Sequence, residues 1–197
     1  MNPCSKNLIR LENGMGYLTH QEKIELDEKL KEHGIFLLCY EDNDPKASLH
    51  EITIFIGEHI TELFCSCIVG AAGAAVYDVL KWMLKKAVFA IKKKITIVSA
   101  GGGMHKATPT IQFITSKGSI SAIVPSDLSP KKFDSYMRLL KNAVESVTPS
   151  PLEKHEEFVI EKCDNSKKLE VLTLTQYAHK QWKKQKGKCN QNRGKVS

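Results

Sequence analysis

Residues 60–91 read ITELFCSCIVGAAGAAVYDVLKWMLKKAVFAI, and the way this stretch folds decides what the rest of the chain is built around. Residues 63–77 contain no charged side chain, and at their centre lies the block Gly70-Ala71-Ala72-Gly73-Ala74-Ala75. Such a segment is either a membrane span or the central helix of a small core. A span needs roughly 20 predominantly apolar residues. Extending this one past Tyr77 would bury Asp78 and Lys81, each at a cost of about 2.5–3.5 kcal/mol at mid-bilayer. On a helical wheel of about 100° per residue, Glu62, Ser66, Gly70, Gly73, Tyr77, Asp78, Lys81, Lys85 and Lys92 gather on one side. Leu63, Phe64, Cys67, Ile68, Ala71, Ala75, Leu80, Met83 and Val88 occupy the other. The reading is therefore one long amphipathic core helix. Ser66, Gly70 and Ala74 form a small-xxx-small row that lets another element pack closely against it.

The flanks supply a sheet. Residues 50–56 alternate as a strand, with Ile52, Ile54 and Ile56 on one face. Residues 35–40 are a continuous apolar run with strand character, and 95–98 a short strand on the far side of the helix. Residues 110–115 and 119–124 alternate around Lys117-Gly118 and read as a hairpin. Thr19 caps a short helix over 21–32, with Ile24, Leu26 and Leu30 on its apolar side and Gly34 as the residue that ends it. Ser129-Pro130 offers a cap with proline in the first turn of a second helix. There Phe133, Tyr136, Met137, Leu140, Ala143, Val144 and Val147 recur at helical spacing. Asp44-Pro45 marks a turn in the loop 41–48, and Thr148-Pro149-Ser150-Pro151 is the best linker. Beyond it, 158–160 and 169–174 pair as a hairpin, or the second run continues as a helix through Trp182; periodicity leaves both open.

These elements predict an α+β fold, a small mixed sheet packed on one long small-residue helix and a second amphipathic helix. The expected organisation is a loosely ordered 1–18, a domain over 19–148, an extension over 149–177 and a disordered basic tail over 178–197. The chain has 197 residues and a formal net charge of +7. The tail accounts for all of that excess. It holds seven basic residues and no acidic one, so residues 1–177 sum to zero.

Candidate chemistry is sparse. Gly101-Gly102-Gly103-Met104-His105-Lys106 follows a strand, but a phosphate loop needs a helix next, and Thr108-Pro109 and a strand come instead. It reads as a connector. His50-Glu51 and His155-Glu156 lack a second histidine one helical turn away. Cys65 and Cys67 diverge by about 200° on a helix and cannot share a metal. The six cysteines show no disulfide or zinc spacing, and no signal peptide opens the chain, which points to a reducing, cytoplasmic setting. No cofactor and no metal are expected. In the tail, Lys180, Lys183, Lys184, Lys186, Lys188 and Arg193 surround Trp182, a composition suited to a phosphate backbone or an anionic membrane surface.

The order of strand Ile52-Thr53-Ile54, small-residue helix with Ala74-Ala75, Leu80 and Trp82, and hairpin over 110–124 resembles the effector-associated constant components of bacterial conflict systems. The resemblance covers 51–124 and implies a non-catalytic adaptor that brings an effector to its trigger. A second helix, a linker and a basic tail depart from that pattern. The functional expectation is an intracellular protein-interaction module rather than an enzyme. The alternatives are nucleic-acid association through the tail and membrane insertion of the 60–91 helix.

Overall fold

The computed structural model describes residues 6–12, 16–40, 52–65, 70–98, 102–147, 157–163 and 168–193; the side chains of 70–73, 98, 185 and 187–193 are not described. A mixed sheet organises them. Strands β1 (Leu8–Glu12), β2 (Phe36–Tyr40), β3 (Thr53–Ile56), β6 (Thr110–Thr115), β7 (Gly118–Ile123), β8 (Phe158–Lys162) and β9 (Leu169–Thr173) lie in the order β2-β1-β3-β6-β7-β8-β9. Two further strands, β4 (Thr96–Val98) and β5 (Met104–Lys106), form a separate antiparallel pair. Pairing alternates along the main sheet. The pairs β1–β2, β3–β6 and β7–β8 are parallel, and β1–β3, β6–β7 and β8–β9 antiparallel.

Each parallel pair needs a crossover, because a tight turn cannot return a strand to the same direction. Helix α1 (His20–Lys31) joins β1 to β2. Helices α2 (Glu58–Cys65) and α3 (Gly70–Lys94), with the β4–β5 hairpin, join β3 to β6. A 3-10 turn (Pro130–Lys132) running into α4 (Phe133–Val147) joins β7 to β8, and α5 (Leu174–Arg193) follows β9. The fold class is α+β, as the sequence predicts.

Strand alternation sorts the sheet into two faces. The row Leu11, Ile54, Ile111, Ala122, Ile160 and Val171 runs in register across six strands. It belongs to one core shared with the buried residues of α1–α4. Helix α3 contributes Val76, Val79, Leu80, Met83, Leu84, Ala87, Val88 and Ile91, the three- and four-residue spacing of a single helix face. Phe64 of α2 stacks on Phe113 of β6 at 5.1 Å and on Tyr77 of α3 at 5.7 Å, tying both helices to the centre of the sheet. Full burial of one such ring contributes about 1.5–3 kcal/mol.

Local chemistry explains the ends of these elements. Thr19 Oγ1 accepts from the Glu22 N–H and the Glu22 carboxylate accepts from the Thr19 N–H, a capping box that starts α1. At its other end the Gly34 N–H donates to Lys31 C=O and the Ile35 N–H to Leu30 C=O, with Gly34 at φ +69°. That closure places a left-handed residue where glycine carries no Cβ penalty. Lys92 Nζ donates to the carbonyls of Pro125, Ser126 and Leu128 at 2.8–3.1 Å and holds the turn that leads into α4. Ser129 stands at the expected cap position, without a side-chain capping bond.

Several expectations are corrected. Residues 1–18 are expected to be loosely ordered, yet Leu8–Glu12 is an interior strand of the sheet, with Ile9 and Leu11 fully buried. The 60–91 stretch is two helices, with 66–69 outside the described residues. The strand at Thr96–Val98 flanks α3 but pairs outside the main sheet. The domain boundary at 148 does not divide the sheet, because β8 and β9 continue it. Of the two readings for 169–174, the hairpin holds through Thr173 and the helix begins at Leu174. The tail over 178–193 is helical. The loop 41–48, the linker 148–151, His50, His155 and Cys67 lie outside the described residues.

Candidate interaction surfaces

The second face of the sheet carries the row Leu38, Arg10, Phe55, Gln112, Ser121, Val159 and Leu172. Helices α1–α4 share the core of the opposite face, so this one is covered differently along its length. At the β8–β9 end α5 packs on it, and Val159 is buried there at 5% exposure. At the β2–β1–β3 end Phe36, Leu38 and Tyr40 stand 44–51% exposed, beside half-buried Leu8 and Phe55. The Arg10 guanidinium lies 3.7 Å over the Phe55 ring, a cation–π contact that holds both side chains flat on the sheet. Arg10 and Glu12 are the charged residues of the three strands at that end, so the patch is near neutral and apolar.

What fastens α5 is a charge problem in the sheet. Glu161 and Glu170 face each other directly across β8 and β9. Like charges in that position repel, and Glu161 is only 9% exposed. Lys180 resolves it: its ammonium lies 2.7 Å from Glu161 and also donates to Glu170. Hydrogen bonding to Glu161 first, and to Glu170, raises the Lys180 pKa well above the usual lysine range.

The predicted anion-contacting residues therefore divide. Lys180 is committed to the sheet. Trp182 is 51% exposed, stacked with His179 at 6.1 Å and covered by Lys186 Nζ at 4.0 Å from the ring centre. Lys183, Lys184 and Lys186 are exposed along the same helix. Lys188 and Arg193 lie on its backbone, with side chains outside the described set. Of the three predicted helix-packing residues, Ser66 lies outside the described residues, Gly70 opens α3, and Ala74 is exposed.

A cleft of about 280 Å³ sits beside β9, between Tyr136 and Leu139 of α4, Leu128 and Pro125 of the preceding turn, and Leu169 and Lys162 of the strands. Asp127 and Lys162 pair across it at 2.5 Å. The hydrogen bond from Lys162 holds the Asp127 carboxyl below its usual range. Lys132 also lines the cleft, exposed and without an ion pair among the described residues. This site was missed from sequence because its parts come from separate crossovers. The signal available in advance was the exposed Leu139 beside the amphipathic stripe of α4.

His59 Nδ1 lies 3.4 Å from Glu62, and His105 is exposed on β5. Among the described residues no three histidine, cysteine or acidic side chains are grouped to hold a metal. No described helix is long and apolar enough to cross a membrane.

These features define a class: a mixed sheet clothed by helices on one face and, among the described residues, left partly open on the other. No protein family, curated protein or solved structure matches the chain.

Proposed function

We propose that this chain is a non-catalytic interaction module of the cytoplasm, an adaptor whose open sheet face receives a protein partner. The observation that carries the reading is the apolar patch of Phe36, Leu38 and Tyr40 beside the Arg10–Phe55 stack, on a sheet whose other face is already spent on the core. Contiguous apolar surface of this kind marks a partner site more often than scattered single residues do. Its near-neutral charge favours a protein over a nucleic acid, which would call for an excess of cations. The resemblance to effector-associated constant components implies the same adaptor role.

Site-specific photocrosslinking in cells tests it. A crosslinker at Leu38 is expected to give a discrete protein adduct, absent from the same crosslinker at Glu145 on the far side of α4. Phe36→Glu should abolish that adduct without lowering thermal stability. Identical adducts from both positions would overturn the reading.

The second reading, association with a phosphate backbone, is favoured by one observation: the exposed row Lys183, Lys184 and Lys186 around Trp182 on α5. It is sequence-independent and salt-sensitive. Retention on single-stranded nucleic acid at low salt should fall when Lys183, Lys184 and Lys186 become Ala together, and unchanged retention removes this reading.

A further inference from the structure

We propose that the outer edge of β9 and the cleft beneath it form a docking groove for a short extended peptide of another protein, one that carries an apolar side chain close to a carboxylate. This rests on the interaction-module reading and assigns it a second surface, at the opposite edge of the sheet from Phe36 and Leu38.

The ladder between β8 and β9 decides which backbone groups are offered. The Cys163 N–H donates to Lys168 C=O and the Leu174 N–H to Glu157 C=O. By antiparallel alternation Glu170 and Leu172 also turn their backbone groups toward β8. Leu169 and Val171 must then direct N–H and C=O outward, away from the sheet. The Thr173 N–H is taken by the Gln176 side chain at 3.0 Å, which ends the available edge. Among the described residues β9 is the last strand of the sheet, and its sequence LEVLT holds no lysine, proline or bulge to blunt it. An added strand would satisfy both outward residues, and its inward side chain would fall on the α4 side. There the cleft offers Leu139, 39% exposed, and half-buried Leu169, with room for a single large apolar side chain.

Charge selects the occupant. Asp127 pairs with Lys162 and also feels the charge of Lys132, so one carboxylate stands against two cations and the rim keeps an excess of positive charge. A peptide carboxylate complements it. A second copy of this chain would instead bring its own Lys132 against the first, so self-pairing through β9 is opposed by like charges.

A display library of random peptides with free C-termini, panned against the full chain, tests this. Enriched peptides should share an apolar residue within two positions of an acidic side chain or the terminal carboxylate. For a labelled enriched peptide, Lys132→Glu should weaken binding about tenfold, and Leu139→Asp should abolish it. Both positions are exposed, so each variant should keep the parent thermal midpoint. Amide exchange at Leu169 and Val171 should slow on binding. Absence of any enriched peptide, unchanged exchange at those amides, or undiminished binding to both variants overturns the groove. So does a β9-mediated dimer that Leu139→Asp disperses. If peptides bind undiminished to both variants but are lost on Phe36→Glu, the groove falls while the sheet-face reading stands.

Discussion

Gly57 shows how one residue holds two distant segments together. A Cβ at this position would lie 2.6 Å from the Lys6 carbonyl oxygen and 2.8 Å from that of Leu8. Both are backbone atoms, so nothing there can swing aside. The closeness is used: the Gly57 N–H donates to Leu8 C=O at 2.9 Å, and the His59 N–H to Lys6 C=O at 3.1 Å. Gly57→Ala should therefore push β1 away from the start of α2 and cost about 2–3 kcal/mol, read as a lowered urea midpoint. Glu22 is the second residue whose effect can be stated with its sign. The Thr19 backbone hydrogen bond, aided by Lys94, holds its carboxyl below the ordinary value. A carboxylate depressed in the folded state stabilises above its unfolded pKa, about 4.3, and loses that contribution as pH falls through the folded value. Stability should thus decline below about pH 4. Glu22→Gln should flatten that decline while lowering the midpoint at pH 7; equal acid slopes in both proteins would exclude the role.

Among the elements, α5 depends most visibly on a single side chain. Its composition is polar and basic, with no acidic residue in the first turn to favour the dipole, so tertiary contact must hold it. Lys180 supplies that contact while relieving the Glu161–Glu170 repulsion. Lys180→Met should leave two carboxylates facing one another, cost about 1–3 kcal/mol and release α5, so that its amides exchange faster than those of α4. Exchange that stays unchanged along α5 would show that the helix is held otherwise. The same comparison explains α3. Two of its lysines pair with α1, Lys86 with Glu25 and Lys94 with Glu22, while its apolar stripe meets the sheet. Those surface pairs contribute little; the stripe carries the stability.

At the scale of the molecule, one sheet runs unbroken from β2 to β9, with two of its strands beyond residue 148. A chain ending at residue 147 would lack β8 and β9, expose the edge of β7 and remove Ile160 from the core. It should be aggregation-prone and lose cooperative unfolding. A soluble, cooperatively unfolding 1–147 fragment would restore the boundary. The functional surfaces belong to this scale as well. Leu38, Arg10 and Phe55 are far apart in sequence and become a patch only through register.

How much could be read beforehand follows from the range of each interaction. The cap at Thr19, the stop at Gly34, the hairpin around Lys117-Gly118 and the stripe of α4 were readable because each is settled within a few residues by backbone sterics and local hydrogen bonds. The α+β class followed from those patterns. The role of Leu8–Glu12 was not readable, because five residues of mixed polarity become an interior strand only when β2 and β3 lie on either side. The basic tail carried the clearest composition in the chain, yet the pairing of Lys180 with Glu161 and Glu170 could not be read from it. The sequence by itself determined those elements whose patterns are local, α1, β3, the β6–β7 hairpin and α4 among them, but not β1 or α5. Only the tertiary structure decided the strand order, the open face and the β9 cleft, because pairing between strands is set by long-range packing that no local pattern encodes.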